Sequence, residues 1–312
     1  MEQSQTEVQQ PTVNPSAVRD DAPVAVVPST NPATTISPQA CATCGTAPAA
    51  SGGATATPSY IYAIGRIEAR FPSISVEKEF AQATGRADTK NLTDRQALQA
   101  VLSKPENRYL VRQLCFVMTI EGLETYILVP RDPADISLLV EALRPTPQPW
   151  DLDVVIGMKG PIAPPAMCNG LMVPLVVFDQ IYSFDRDSLI KAAQGTEKKA
   201  AKESTAATEE VFDRIMQMTD NAGATDGDRA LNYLAVRYQA IYANATEAFG
   251  RNSSLSGVHV QPSALSGTRN MVDVIFTYTN RNTDVDEKFA VGVDVTDKFP
   301  FLVTKLSPYF DR

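Results

Sequence analysis

An abrupt change of composition at Tyr60 limits what this chain can fold into. The 59 residues before it hold no Phe, Tyr or Trp, only Arg19 as a basic residue, and eight of the 22 prolines. Gln, Thr, Ser, Ala and Pro dominate there. Such a stretch buries too little apolar surface to offset the entropy of ordering it. The expected organisation is therefore a disordered low-complexity leader over 1–40, a linker over 41–59 and a folded body over 60–312. A chain of 312 residues allows two domains, or one domain with tails, at ~100–200 residues per domain. With 44% apolar residues the body can bury a large core.

Charge and hydropathy exclude several function classes. The net charge is −8 and no basic run occurs, so the phosphate neutralisation that nucleic-acid binding requires has no residues to supply it. Apolar runs such as Leu171 to Phe178 fall well short of the ~20 residues that span a bilayer. The polar, acidic stretch Met1 to Gln10 lacks the charged-then-apolar pattern of a signal peptide, so a cytoplasmic location without membrane attachment is expected.

Periodicity within the body predicts an α+β fold, mostly antiparallel, with an inserted αα-hairpin. Strands are expected over Tyr60–Arg70, Tyr109–Ile120, Glu124–Pro130, Asp151–Met158 and Leu171–Tyr182. The short Glu121-Gly122 turn reads as a hairpin connection. Helices are expected over Ser73–Thr84, Thr93–Leu102 and Pro133–Leu143, with Asp132 capping the last. From about 185 to 250 the pattern becomes helical. Leu231, Leu234, Tyr238, Ile241, Ala245 and Phe249 repeat at the spacing of a helix-packing seam, and Val211, Phe212, Ile215 and Met218 form a second stripe. Two such hairpins related by a two-fold axis would make a four-helix bundle, so a homodimer is expected, although both stripes can equally pack on the chain's own sheet. The remainder alternates as strands over Val258–Gln261, Met271–Thr279, Phe289–Val295 and Phe301–Leu306.

Four cysteines and one histidine, His259, bound the chemistry. Cys41-Ala-Thr-Cys44-Gly45 has the form of a metal knuckle, in which Gly permits the tight turn and backbone N–H groups face sulfur. A knuckle is half of a tetrahedral site. For the other half only Cys115, in a strand, Cys168, in the Pro-rich loop Gly160–Gly170, and His259 are available; four cysteines with none left over point to one structural Zn2+ on Cys41, Cys44, Cys115 and Cys168. Buried, inert cysteines are the plain alternative. A disulfide is disfavoured in a cytosolic setting. His259, flanked by Val258 and Val260, reads as structural rather than as a general base. No Gly-x-Ser-x-Gly elbow, dinucleotide fingerprint or P-loop occurs. Asp132 with Asp135, and Asp151 with Asp153, are paired carboxylates by spacing; caps and solvated strand ends are the simpler account.

Several long strings carry a family resemblance. Tyr60-Ile-Tyr-Ala-Ile-Gly-Arg-Ile-Glu-Ala-Arg-Phe-Pro-Ser73, Val76-Glu-Lys-Glu-Phe-Ala81, Glu121-Gly-Leu-Glu-Thr-Tyr-Ile-Leu-Val-Pro-Arg131, Gly160-Pro-Ile-Ala-Pro-Pro165, Met167-Cys-Asn-Gly-Leu171 and Pro300-Phe-Leu-Val-Thr-Lys-Leu-Ser-Pro308 resemble the domain of unknown function at the C-terminus of PatG-type cyanobactin maturation proteases. The resemblance runs from about Cys41 to Arg312. It implies a place in the maturation of ribosomal precursor peptides. In that family the domain follows a subtilisin-like protease; here only ~40 low-complexity residues stand before Cys41, and the one histidine, His259, lies within the resembling region, so proteolysis and macrocyclisation are not implied. The expectation is a non-catalytic interaction or scaffolding module whose partners are maturation enzymes or precursor peptide. A zinc-dependent enzyme and a precursor-peptide-binding module of the same pathway are the alternatives.

Overall fold

The computed structural model describes residues 58–86, 92–148, 151–185, 201–217 and 221–310. The leader and the Cys41–Cys44 knuckle lie outside them. All described residues fall within one compact unit, Thr55–Arg312.

The first half closes into a barrel. Its strands are β1 (Tyr60–Arg70), β2 (Cys115–Ile120), β3 (Leu123–Pro130), β4 (Asp151–Ile162) and β5 (Pro174–Asp185), in the order β1-β2-β3-β5-β4. Every pairing is antiparallel except β3 with β5. Closure leaves no free edge, which removes the usual hazard of exposed strand backbone. Alternation along β1 sorts its side chains between two cores. Ile61, Ala63 and Ile67 join Phe116, Met118, Val155 and Phe178 in a core shared with the small helices α1 (Ile74–Arg86), α2 (Asp94–Leu102), α3 (Arg108–Val111) and α4 (Ile136–Ala142). Tyr62 and Ile64 face the other way.

The second half is a sheet overlaid by helices. Strands β6 (Ser253–Pro262), β7 (Met271–Asn280) and β8 (Asp286–Asp294) run antiparallel, and the short β9 (Phe301–Leu302) and β10 (Ser307–Pro308) both pair with β8. Helices α5 (Ala201–Met216), α6 (Asp226–Arg237) and α7 (Ala240–Gly250) share one core with Val274, Phe276, Val291 and Val293 of this sheet and with Tyr62, Ile64, Val154 and Ile156 of the barrel. A capping box starts α6: Thr225 and Asp228 exchange side-chain and backbone hydrogen bonds.

A backbone clasp fixes α6 against β1. The Tyr62 N–H donates to the Gly223 carbonyl at 2.9 Å, and Asn232 Nδ2 donates to the Tyr62 carbonyl at 2.8 Å. Gly223 has φ +70, and a Cβ there would lie 2.3 Å from the Tyr62 carbonyl oxygen. Only glycine fits that approach. The Tyr62 and Tyr182 hydroxyls are hydrogen-bonded to each other, with Arg237 stacked 4.6 Å over the Tyr182 ring. Burial, reinforced by Tyr182, pushes the Tyr62 phenol far above its ordinary range, so the pair is an uncharged latch.

Three expectations are corrected. The run Tyr109–Ile120 is not one strand: α3 and a turn precede β2, because Leu110, Val111 and Leu114 are buried at helical spacing. The long seam Leu231–Phe249 is not one helix of an αα-hairpin. It breaks at Tyr238 (φ −117, ψ 87) into α6 and α7. Nor is its stripe a free dimer seam. Leu231, Leu234, Ile241 and Ala245 are buried in the chain's own core, and the Tyr238 hydroxyl accepts from the Leu306 N–H at 3.1 Å. The apolar face of β7 and β8 lies close by in the same chain and covers the stripe. Met218, at the end of the second stripe, is outside the described residues.

Candidate functional site: a walled groove over β1 and β2

Along β1 the face that begins with Tyr62 and Ile64 continues as Arg66, Glu68 and Arg70. The apolar pair is covered by the helical core; the charged residues are not. Cross-strand register sets Arg66 beside Thr119, Glu68 beside Val117 and Arg70 beside Cys115. Arg66, Glu68, Arg70 and Thr119 floor a groove of about 1030 Å³. The β2–β3 turn forms one end, with Glu121 and Gly122 in the left-handed region at φ 50 and 83. Phe212, Asp213 and Met216 near the end of α5 line one side, and Leu171 of the Pro-rich loop lines another. Arg70 is ion-paired with Glu124.

The Leu171 wall is held by covalent and backbone bonds. Cys168 is disulfide-bonded to Cys115, Cα to Cα 5.7 Å. Ala163 N–H donates to the Val173 carbonyl at 2.9 Å, closing the loop, and Leu171 N–H donates to the Cys168 carbonyl at 3.3 Å. Cys168, Asn169 and Gly170 are all left-handed, at φ 47, 55 and 87. A small core of Val117, Ile127 and Ala163, with Met167, Leu171, Val173 and Leu175 packed on it, lies around the bond. Ordering consecutive left-handed residues costs on the order of 1 kcal/mol for each that is not glycine, so the loop depends on these attachments.

The predicted metal ligands divide. Cys115 and Cys168 come together, as the zinc reading required, but as a bonded pair and not as separate thiolates. The expectation against a disulfide is thereby corrected; spacing in the sequence carries no information on which cysteines the barrel brings together. Cys41 and Cys44 lie outside the described residues. Among the described residues no group of His, Cys, Asp and Glu is placed to hold a metal ion. His259 is exposed on β6 opposite Ile275.

The carboxylate pairs also separate. Asp132 caps the Ala134 N–H at 2.8 Å and Asp151 accepts from the Gln148 N–H at 2.8 Å, both as the plain account expects. Asp153 does not, being only 2% exposed. Gly65 is the last β1 residue paired to β4, opposite Asp153. Beyond it β1 has no β4 partner on that side, and the Asp153 carboxylate accepts the Ile67 N–H at 3.1 Å, along with the Ser183 hydroxyl. Burial raises the Asp153 carboxyl, offset in part by Ser183, Arg144 and the Ile67 N–H. Nothing in the alternation of Asp151-Leu-Asp153 distinguishes this buried acid from a solvated strand end. A second such residue is Arg229, buried on α6, whose guanidinium donates to the carbonyls of Val295 (2.8 Å) and Asp297.

A closed mixed barrel joined through a helical layer to an antiparallel sheet makes this an α+β protein. Residues 198–309 match the family model described as PatG C-terminal. A solved structure described as "PatG Domain of Unknown Function" is similar in fold, with a TM-score of 0.67 and 19% identity, over 80% of this chain and 98% of that chain. No curated protein matches. The PatG resemblance read from the sequence is thus borne out: residues 198–309 are similar to the C-terminal region of PatG. Among the described residues no helix is long and apolar enough to cross a membrane.

Proposed function

We propose that this chain is a non-catalytic interaction or scaffolding module of a cyanobactin-type peptide-maturation pathway. The observation that carries the reading is the groove over β1 and β2. It has a floor of paired strands, a wall stapled by Cys115–Cys168 and a lining of arginine, glutamate, leucine and phenylalanine, groups suited to gripping a polypeptide. The likeness to the PatG C-terminal region supports the pathway. The test is retention of synthetic precursor peptide and of the maturation enzymes on the immobilised chain. Micromolar retention is expected; no retention of any of them overturns the proposal.

A second reading rests on the nearness of Cys115 and Cys168, since two thiolates of one tetrahedral ion must converge as well. Under it the reduced chain carries one structural zinc on Cys41, Cys44, Cys115 and Cys168. Metal analysis after reductive purification gives about one equivalent in that case. Well under one equivalent, with about two titratable thiols in the denatured, unreduced chain, leaves the disulfide as the resident state.

A further inference from the structure

Within the interaction-module reading, on which this step rests, the geometry points to one occupant for the groove: a short, extended, cationic and amphipathic segment of a partner protein or precursor peptide. Length comes first. The floor follows β1 from Ile64 to Arg70, roughly 20 Å at ~3.3 Å per residue, the span of about six extended residues. An extended chain presents alternate side chains to one face, so a strand-like ligand meets the floor with every second residue.

The lining then sets the chemistry. Leu123, at the turn, is 73% exposed, and with Leu171 and Met216 it offers apolar surface that gains by being covered. The charges do not balance. Arg70 is held by Glu124, and Arg66 and Asp213 each have partners already. Glu68 on the floor and Glu121 on the rim have no ion pair among the described residues. Covering a carboxylate with apolar surface is costly unless a cation comes with it, so the ligand must bring Lys or Arg between its apolar residues.

The same charge argument excludes the N-terminal stretch of this chain as the occupant. Residues 1–57 of this chain carry Glu2, Glu7, Asp20 and Asp21 against Arg19 alone, the wrong sign for this groove.

The experiment is fluorescence anisotropy on the full chain, using labelled Leu-Lys, Leu-Glu and Ser-Lys alternating hexapeptides. The Leu-Lys peptide is expected to bind, with affinity falling as salt rises, and the other two to bind at least about tenfold more weakly. Glu68→Gln with Glu121→Gln, and separately Leu123→Ser, should each weaken Leu-Lys binding about tenfold while leaving the circular dichroism spectrum unchanged. Equal binding of the Leu-Lys and Leu-Glu peptides overturns the charge assignment. Equal binding of the Ser-Lys peptide overturns the amphipathic one. Undiminished binding by folded variants removes the groove as the site, and if the wild-type chain still retains precursor or enzymes, the module reading survives that loss. Occlusion of the groove in a self-associated chain, seen as peptide binding only below the association concentration, replaces the partner by a second copy and also refutes the proposal.

Discussion

Replacing Cys115 and Cys168 together by alanine tests the wall of the groove directly. The bond closes a loop of 53 residues. In the chain-entropy account, a cross-link of that span removes about 14 cal/mol/K from the unfolded ensemble, or about 4 kcal/mol at 25 °C. Measured losses run closer to 2–4 kcal/mol, because real unfolded chains are less open than the ideal one. Both cysteines are also buried, so part of the loss arises in the folded state from the small cavity left behind. The double variant avoids the thiol reshuffling that would spoil a two-state analysis of the reduced protein. Urea unfolding by circular dichroism is expected to show a fall of about 2–4 kcal/mol. Amide exchange adds the local readout: the protected N–H groups of Ala163 and Leu171 should exchange faster by at least about tenfold, while the barrel N–H of Ile67 changes only with global stability. A stability change under about 1 kcal/mol, or a loop as protected as before, would refute the claim that the bond holds the wall.

Further expectations follow from the packing and charge described above. Gly223→Ala forces a Cβ against the Tyr62 backbone and disturbs two hydrogen bonds, a loss of about 3 kcal/mol; Gly85→Ala, in α1 with nothing within 4 Å, should instead stabilise by about 0.5–1 kcal/mol, and equal effects in urea melts would discount the clasp. Tyr238→Glu with Ile241→Glu puts charge into the core and should abolish the helical spectrum; a folded monomer in sedimentation would restore the dimer-seam reading. Burial alone would raise the Asp179 carboxyl, but Lys298 and Arg131 outweigh it and hold the group below its ordinary 3.8. Its stabilisation is therefore complete above that value and is lost as pH falls through the depressed one, so Asp179→Asn should flatten the acid limb of the stability–pH curve, and an unchanged limb would count against the pairing.

What could be read from the sequence was what repeats or caps. The alternation of Met271–Thr279 gives β7, the capping residue Thr93 gives the start of α2, and the compositional break at Tyr60 gives the start of β1. Partner choice was not legible. The seam Leu231–Phe249 is equally apolar whether it meets a second copy or β7, and only the fold decides. Cys115 and Cys168 were singled out together, yet their bonding depends on a Pro-rich loop returning over β2. The floor of the groove was written in plain sight as Arg66, Glu68 and Arg70, alternating charges on a strand otherwise apolar. That alternation was a usable signal, since a closed barrel wrapped by helices has no structural need for charge there.

The shared core carries a consequence for how such a protein is cut and inherited. The recognisable stretch begins at residue 198, but Tyr62, Ile64, Val154 and Ile156, which complete its packing, are encoded before that point. Expressed by itself, 198–309 would leave the inner side of α6 and β7 wet, and Asn232 and Gly223 without the Tyr62 backbone they grip. Sequence similarity and autonomous folding thus mark different borders in this chain. Recombination that moved the recognisable stretch without its barrel would transfer a helix-and-sheet layer with no floor beneath it.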